Sequence, residues 1–130
     1  MQCPDLQYRC FALTKGEGMQ GYVVLRRTRT EELRQGIISD IMAAPGDVQS
    51  LRTLLGHALA YFGNDVASVE CVTSSIEIRA LLREFGFIRT RTTQPTCWTS
   101  QKNIRQEIEQ FGSSWYFTKS DHDWDQVYVA

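Results

Sequence analysis

The stretch Ile37, Ile38, Ser39, Asp40, Ile41, Met42, Ala43, Ala44 constrains the fold most. Read as a strand over residues 37–44, it sends Ile37, Ser39, Ile41 and Ala43 to one face and Ile38, Asp40, Met42 and Ala44 to the other. Both faces are largely apolar, which predicts a central strand covered on both sides. Pro45 and Gly46 stop it, and Asp47 is placed to cap a helix by accepting from the free amides of the first turn. Val48, Leu51, Leu55, Ala58 and Phe62 then recur at helical spacing, with Leu54 and Leu59 widening the stripe. Gly63 and Asn64 end that helix. A short strand over 68–73 follows, with Val69 and Cys71 on one face. A second helix over 75–85 carries Ile78, Leu81, Leu82 and Phe85 on one side, and Gly86 comes immediately after it. The order strand, helix, strand, helix predicts a parallel pair joined by a right-handed crossover.

The flanks extend this unit. Residues 7–13 suit a strand, Lys15, Gly16, Glu17 and Gly18 supply a turn, and 19–27 return as a second strand, giving a hairpin. A polar connection over 26–35 closes at Gly36. Residues 88–93 alternate Arg and Thr and suit an exposed strand. Residues 101–111 suit a short helix with Ile104, Ile108 and Phe111 on one face, and 115–118 an antiparallel strand returning to the sheet. The expected fold class is α/β with a central mixed sheet and helices packed on its faces, in a single domain spanning 1–130.

With 130 residues, 42% apolar and 22% charged, the chain has the makings of one hydrophobic core and is not a disordered polymer. A net charge of −1 argues against partnership with nucleic acid or an anionic membrane. No apolar run has the length of a membrane span, and no charged-then-apolar leader opens the sequence. Cys3, Cys10, Cys71 and Cys97 form no C-x-x-C pair, which points to a reduced, cytoplasmic protein with cysteines in its core.

The tail offers Asp121, Asp123 and Asp125 at alternate positions. Hard cations take such carboxylates, but Gln126 stands where an EF-hand needs glycine, so a solvated acidic tail without metal is expected. Arg26, Arg27 and Arg29 suit a phosphate or an acidic partner, or more simply keep a hairpin end soluble, since no aromatics interleave them. His57 lies mid-helix and His122 in the tail, and neither has a Ser or Cys placed for a triad.

The order of elements resembles the acetyl-CoA-binding half of the GNAT superfamily of N-acetyltransferases. The resemblance is carried by Gly21-Tyr22-Val23-Val24, by residues 37–44, by the helix over 51–59, and by Arg79-Ala80-Leu81-Leu82-Arg83-Glu84-Phe85-Gly86-Phe87. The tail over 115–123 is similar to the endings of divergent members. It implies transfer of an acetyl group from acetyl-CoA, as substrate, to a small-molecule or peptide amine. The thioester carbonyl would be polarised by backbone amide where the central strand splays, near Met42, Ala43 and Ala44. Asp40 would be the general base, or else a carboxylate paired with a neighbouring Arg or amide; both readings stand at this point. Glu70, on the next strand, is a second, weaker candidate.

The chain departs from that family in three places. The family's opening strand and two helices have little room before Gln7, which suggests completion by a partner, most simply as a homodimer. The family's Arg/Gln-x-x-Gly-x-Gly/Ala pyrophosphate loop is replaced by Ala44-Pro45-Gly46-Asp47-Val48-Gln49-Ser50. Gly46 and the amides of Val48, Gln49 and Ser50 remain to meet an anion, but an Asp47 cap would place negative charge there. The family's frequent general-acid tyrosine aligns with Leu82. These departures equally suit a non-catalytic binding or assembly domain that has kept the scaffold and lost CoA binding.

Overall fold

A computed structural model describes residues 7–28, 34–90, 99–111 and 116–118 of the chain. β1 (Tyr8–Lys15) and β2 (Gly18–Arg27) form the antiparallel hairpin, turning at Gly16 and Glu17. β3 (Gln35–Ala43) runs antiparallel to β2, and α1 (Val48–Phe62) leads to β4 (Ser68–Cys71), which lies parallel to β3. The sheet order is β1-β2-β3-β4, so the sheet is mixed and the fold is α/β. α2 (Ile76–Glu84) and α3 (Lys102–Phe111) follow. The chain forms two compact units, one holding the sheet, α1 and Thr118, the other running from Ser74 to Phe117 with α2 and α3.

In the first unit, α1 buries Leu51, Leu54, Leu55, Ala58 and Phe62. Full burial of each large apolar side chain contributes roughly 1.5–3 kcal/mol. Two glycines let the helix come close to the sheet. A Cβ on Gly36 would stand 2.8 Å from the Phe62 ring, and one on Gly21 would stand 3.0 Å from Leu54 and 2.5 Å from the Met42 carbonyl oxygen. These approaches place α1 on the face of β2 that carries Gly21, Val23, Leu25 and Arg27.

The regular alternation expected over residues 37–44 is broken. Val24 pairs with Asp40, but Leu25 pairs with Ile38, leaving Ser39 as an extra residue in a β-bulge. Residues directly opposite one another share a face. Gly36, Ile38, Ile41 and Ala43 therefore face α1, while Ile37, Asp40 and Met42 face away. Ile38 and Ile41, three apart in sequence, enter the same core because the bulge absorbs one residue.

Three further expectations are corrected. Arg26 and Arg27 do not serve a soluble hairpin end: they lie inside the β2–β3 ladder, opposite Ile37 and Gly36, while Arg29 lies outside the described residues. Arg26 is buried at 2% exposure on the face away from α1. Arg27 points the other way, donating to the Tyr61 hydroxyl at 2.8 Å and to its carbonyl at 3.0 Å, with its guanidinium 4.3 Å from that ring's centre. Cys10 is exposed on β1 rather than in the core, and Cys71 is half-buried. Residues 88–90 form no strand, and Ile88 is 83% exposed; 91–93 lie outside the described residues.

The expected strand over 115–118 reduces, among the described residues, to an isolated antiparallel bridge between Thr73 and Thr118. In the second unit, Ser75 caps α2 by accepting from the Ile78 amide at 3.2 Å. Ile78, Leu81 and Leu82 are buried, and the Phe87 amide closes the helix end on the Leu82 carbonyl at 3.0 Å. The Ser74 and Phe117 backbones meet through a 3.1 Å bond from the Ser74 amide to the Phe117 carbonyl.

Candidate functional site

Two interruptions meet at Ser39. The bulge lies there on the β2 side, and on the other side the parallel ladder to β4 ends at its Ile38↔Cys71 pair. β3 nevertheless continues to Ala43, so beyond Ile38 its partner among the described strands is β2 alone. Alternate residues of a strand send their backbone groups to opposite edges, and residues 39–43 therefore present amides and carbonyls where β4 no longer runs. Met42 and Ala43 lie on this stretch. The fully buried Ser39 hydroxyl has no hydrogen-bond partner among the described residues.

Asp40 sits on the same stretch, half-buried, and its Oδ2 accepts from the Tyr22 hydroxyl at 2.9 Å. Tyr22 pairs with Met42 across the sheet, so Tyr22, Asp40 and Met42 share the face away from α1. Glu70 is held on β4 opposite Ile37 and accepts from the Gln35 side chain at 3.3 Å. Burial, with Glu70 and then Asp40 adding negative charge nearby, pushes the Cys71 thiol up to about 12. That thiol stays protonated at neutral pH and is a poor nucleophile.

The loop after β3 is closed on itself. The Asp47 amide bonds the Ala44 carbonyl, and the Val48 amide bonds the Gly46 carbonyl, each at 3.0 Å. Asp47 caps α1: its carboxylate accepts from the Ser50 hydroxyl at 2.6 Å and from the Ser50 amide at 3.1 Å. Of the Val48, Gln49 and Ser50 amides, only that of Gln49 lacks an acceptor among the described residues. Asp47 thus occupies the helix N-terminus with its own charge, as the helix dipole favours.

The Ser50 hydroxyl and then its amide hold the Asp47 carboxyl below its ordinary range. A carboxyl lowered on folding adds stability above its unfolded pKa and loses that stability as pH falls through the folded value. The wild type is expected to lose more stability between neutral pH and about pH 3 than Asp47→Asn, whose amide caps without titrating. Thermal melts of both proteins over that range check this, and parallel losses would contradict it.

Sequence reading did not join Tyr22 to Asp40, because nothing local in β2 announces a diagonal partner on β3. It also missed the bulge, for which the adjacent polar pair Ser39 and Asp40 inside an apolar run was the available signal. His57 is exposed on α1, its ring edge-on to Phe11 at 4.6 Å, a packing role. Leu82 is buried on α2. The acidic residues 121–125 lie outside the described residues. Among the described residues, no group of three His, Cys, Asp or Glu is gathered for a metal, and no helix is long and apolar enough to cross a membrane.

The chain has an α/β fold built on a four-stranded mixed sheet. It is similar to a crystal structure described as that of a probable acetyltransferase, with a TM-score of 0.53 over 73% of this chain and 70% of that one. Identity is 17%, so the likeness is one of fold. No family model matches the chain, and no curated protein matches its sequence.

Proposed function

We propose that this protein is a CoA-dependent N-acyltransferase that moves an acetyl group from acetyl-CoA to a small-molecule or peptide amine. The observation that carries this reading is Asp40 on the stretch of β3 that outruns β4. A thioester laid along residues 39–43 meets backbone amide donors at its carbonyl, near Met42 and Ala43, and those donors stabilise the oxyanion formed on attack. Asp40 takes a proton from the attacking amine, directly or through one water. In this reading the pyrophosphate follows at Ala44, Gly46 and the first turn of α1. There, Gln49 offers the remaining amide, while Val48 and Ser50 are engaged.

The test is release of free CoA thiol from acetyl-CoA, followed with a panel of primary amines: lysine methyl ester, spermidine and a short peptide with a free N-terminus. Amine-dependent release above the uncatalysed rate is expected; release no faster than without protein would sink the proposal.

A second reading, favoured by the Asp47 cap, is a non-catalytic binding or assembly domain on the same scaffold. An anion entering at the α1 N-terminus meets a carboxylate there, which weakens CoA binding. Under either reading the protein acts as a homodimer in a reducing, cytoplasmic setting. The support is β1, an end strand of the described sheet with Tyr8 42% exposed and Cys10 exposed as a free thiol. Light scattering after size exclusion is expected to give twice the chain mass, and a clean monomer would count against it.

A further inference from the structure

We infer that Tyr22 and Asp40 work as one proton relay, with the Tyr22 phenol supplying the proton that the departing thiolate needs. The inference rests on the acyl-transfer reading above and adds the acid that it lacks. When an amine attacks a thioester, the C–N bond forms, the C–S bond breaks, the amine gives up a proton and the sulfur leaves as a thiolate. A site with a base alone strands the proton on one side and the thiolate on the other.

The geometry joins the two ends. The Tyr22 hydroxyl donates to Asp40 Oδ2 at 2.9 Å, part-buried, and both side chains project from the face that carries Met42. Their strands are locked by the ladder from Gly21↔Ala43 to Val24↔Asp40, and the bulge at Ser39 follows at once. At rest the phenolic hydrogen is directed at Asp40. When Asp40 takes the amine proton, it becomes a donor and its hydrogen bond to Tyr22 reverses. The phenol oxygen now accepts from Asp40, and its own hydrogen is released toward the sulfur. Passing that hydrogen to the thiolate while receiving Asp40's proton restores both groups, so the net transfer is from amine to thiolate.

A phenol suits the middle position. Its ordinary pKa, about 10, lies near that of an alkyl thiol, about 8.5, so the transfer to sulfur is nearly balanced. The Cys71 thiol does not compete, since it is itself held protonated.

The test uses the full-length protein, acetyl-CoA and the same amine panel. Tyr22→Phe keeps the ring and is expected to lower kcat on the order of 10²-fold with KM for acetyl-CoA little changed. Difluorotyrosine incorporated at Tyr22 is expected to move the basic limb of the kcat–pH profile to lower pH, by about as much as fluorination lowers the phenol's own pKa. A structural tyrosine would not move that limb. A Tyr22→Phe kcat within about threefold of wild type, or a basic limb that fluorination leaves in place, overturns the relay while the acyl-transfer reading stands. Wild-type protein that transfers acetyl to none of the amines overturns the acyl-transfer reading, and the relay falls with it.

Discussion

Phe62→Ala should lower the unfolding free energy by about 3–5 kcal/mol, the range for emptying a buried aromatic site. Phe62 is 1% exposed and ends α1 against Gly36, at a place where even one added methyl would stand 2.8 Å from the ring. Tyr61 lies beside it with ring centres 5.6 Å apart, and Arg27 reaches within 5.8 Å of its centre. Removing the ring therefore loosens the seam between the end of α1 and the start of β3. Gly36→Ala should cost about 1–3 kcal/mol through overpacking at the same seam. Because the two sites touch, their effects should not add. Gly36→Ala is expected to cost less in a Phe62→Leu background than in the wild type. Urea unfolding of the four proteins measures the coupling, and simple additivity would show that Gly36 is not there to admit the ring.

Asp40→Asn should reduce amine-dependent release of CoA thiol by about 10²–10⁴-fold, the usual worth of a general base. The replacement keeps size and a hydrogen-bond acceptor for the Tyr22 hydroxyl, which Asp40 now receives at 2.9 Å. It removes the ability to take a proton. A loss confined to KM, or a variant as active as the wild type, would move the base elsewhere, with Glu70 on the neighbouring strand next in line. A matching thermal melt separates loss of chemistry from loss of fold.

Much of this architecture was legible in the residues. The hairpin was written in the turn at Gly16 and Glu17, and α1 in the spacing from Leu51 to Phe62 with Asp47 ahead of it. The parallel return of β4 followed from the helix between the strands. What escaped was set by tertiary pairing. Whether Ile38 or Ile37 faces α1 depends on one inserted residue at Ser39, and a period-two reading carries no warning of a slip within the strand. Arg26 looked like a solvated charge because its neighbours Arg27 and Arg29 are basic. The register instead places it in an interior row beside Ile37. Asp40 was readable as a candidate from its place in an apolar strand. Its partner Tyr22 was not, since eighteen positions separate them and only the β2–β3 register joins them. The Asp47 cap was legible too, because a carboxylate directly ahead of the first helical turn meets its free amides.

Calorimetric titration with acetyl-CoA, on the wild type and on Asp47→Gly, decides whether this scaffold holds CoA. Saturable binding by the wild type is expected, with tighter binding by the variant, in which the Ser50 amide is released and the charge at the α1 N-terminus is gone. No detectable heat from either protein at millimolar acetyl-CoA would contradict the acyl-transfer reading and leave the scaffold as a binding or assembly domain.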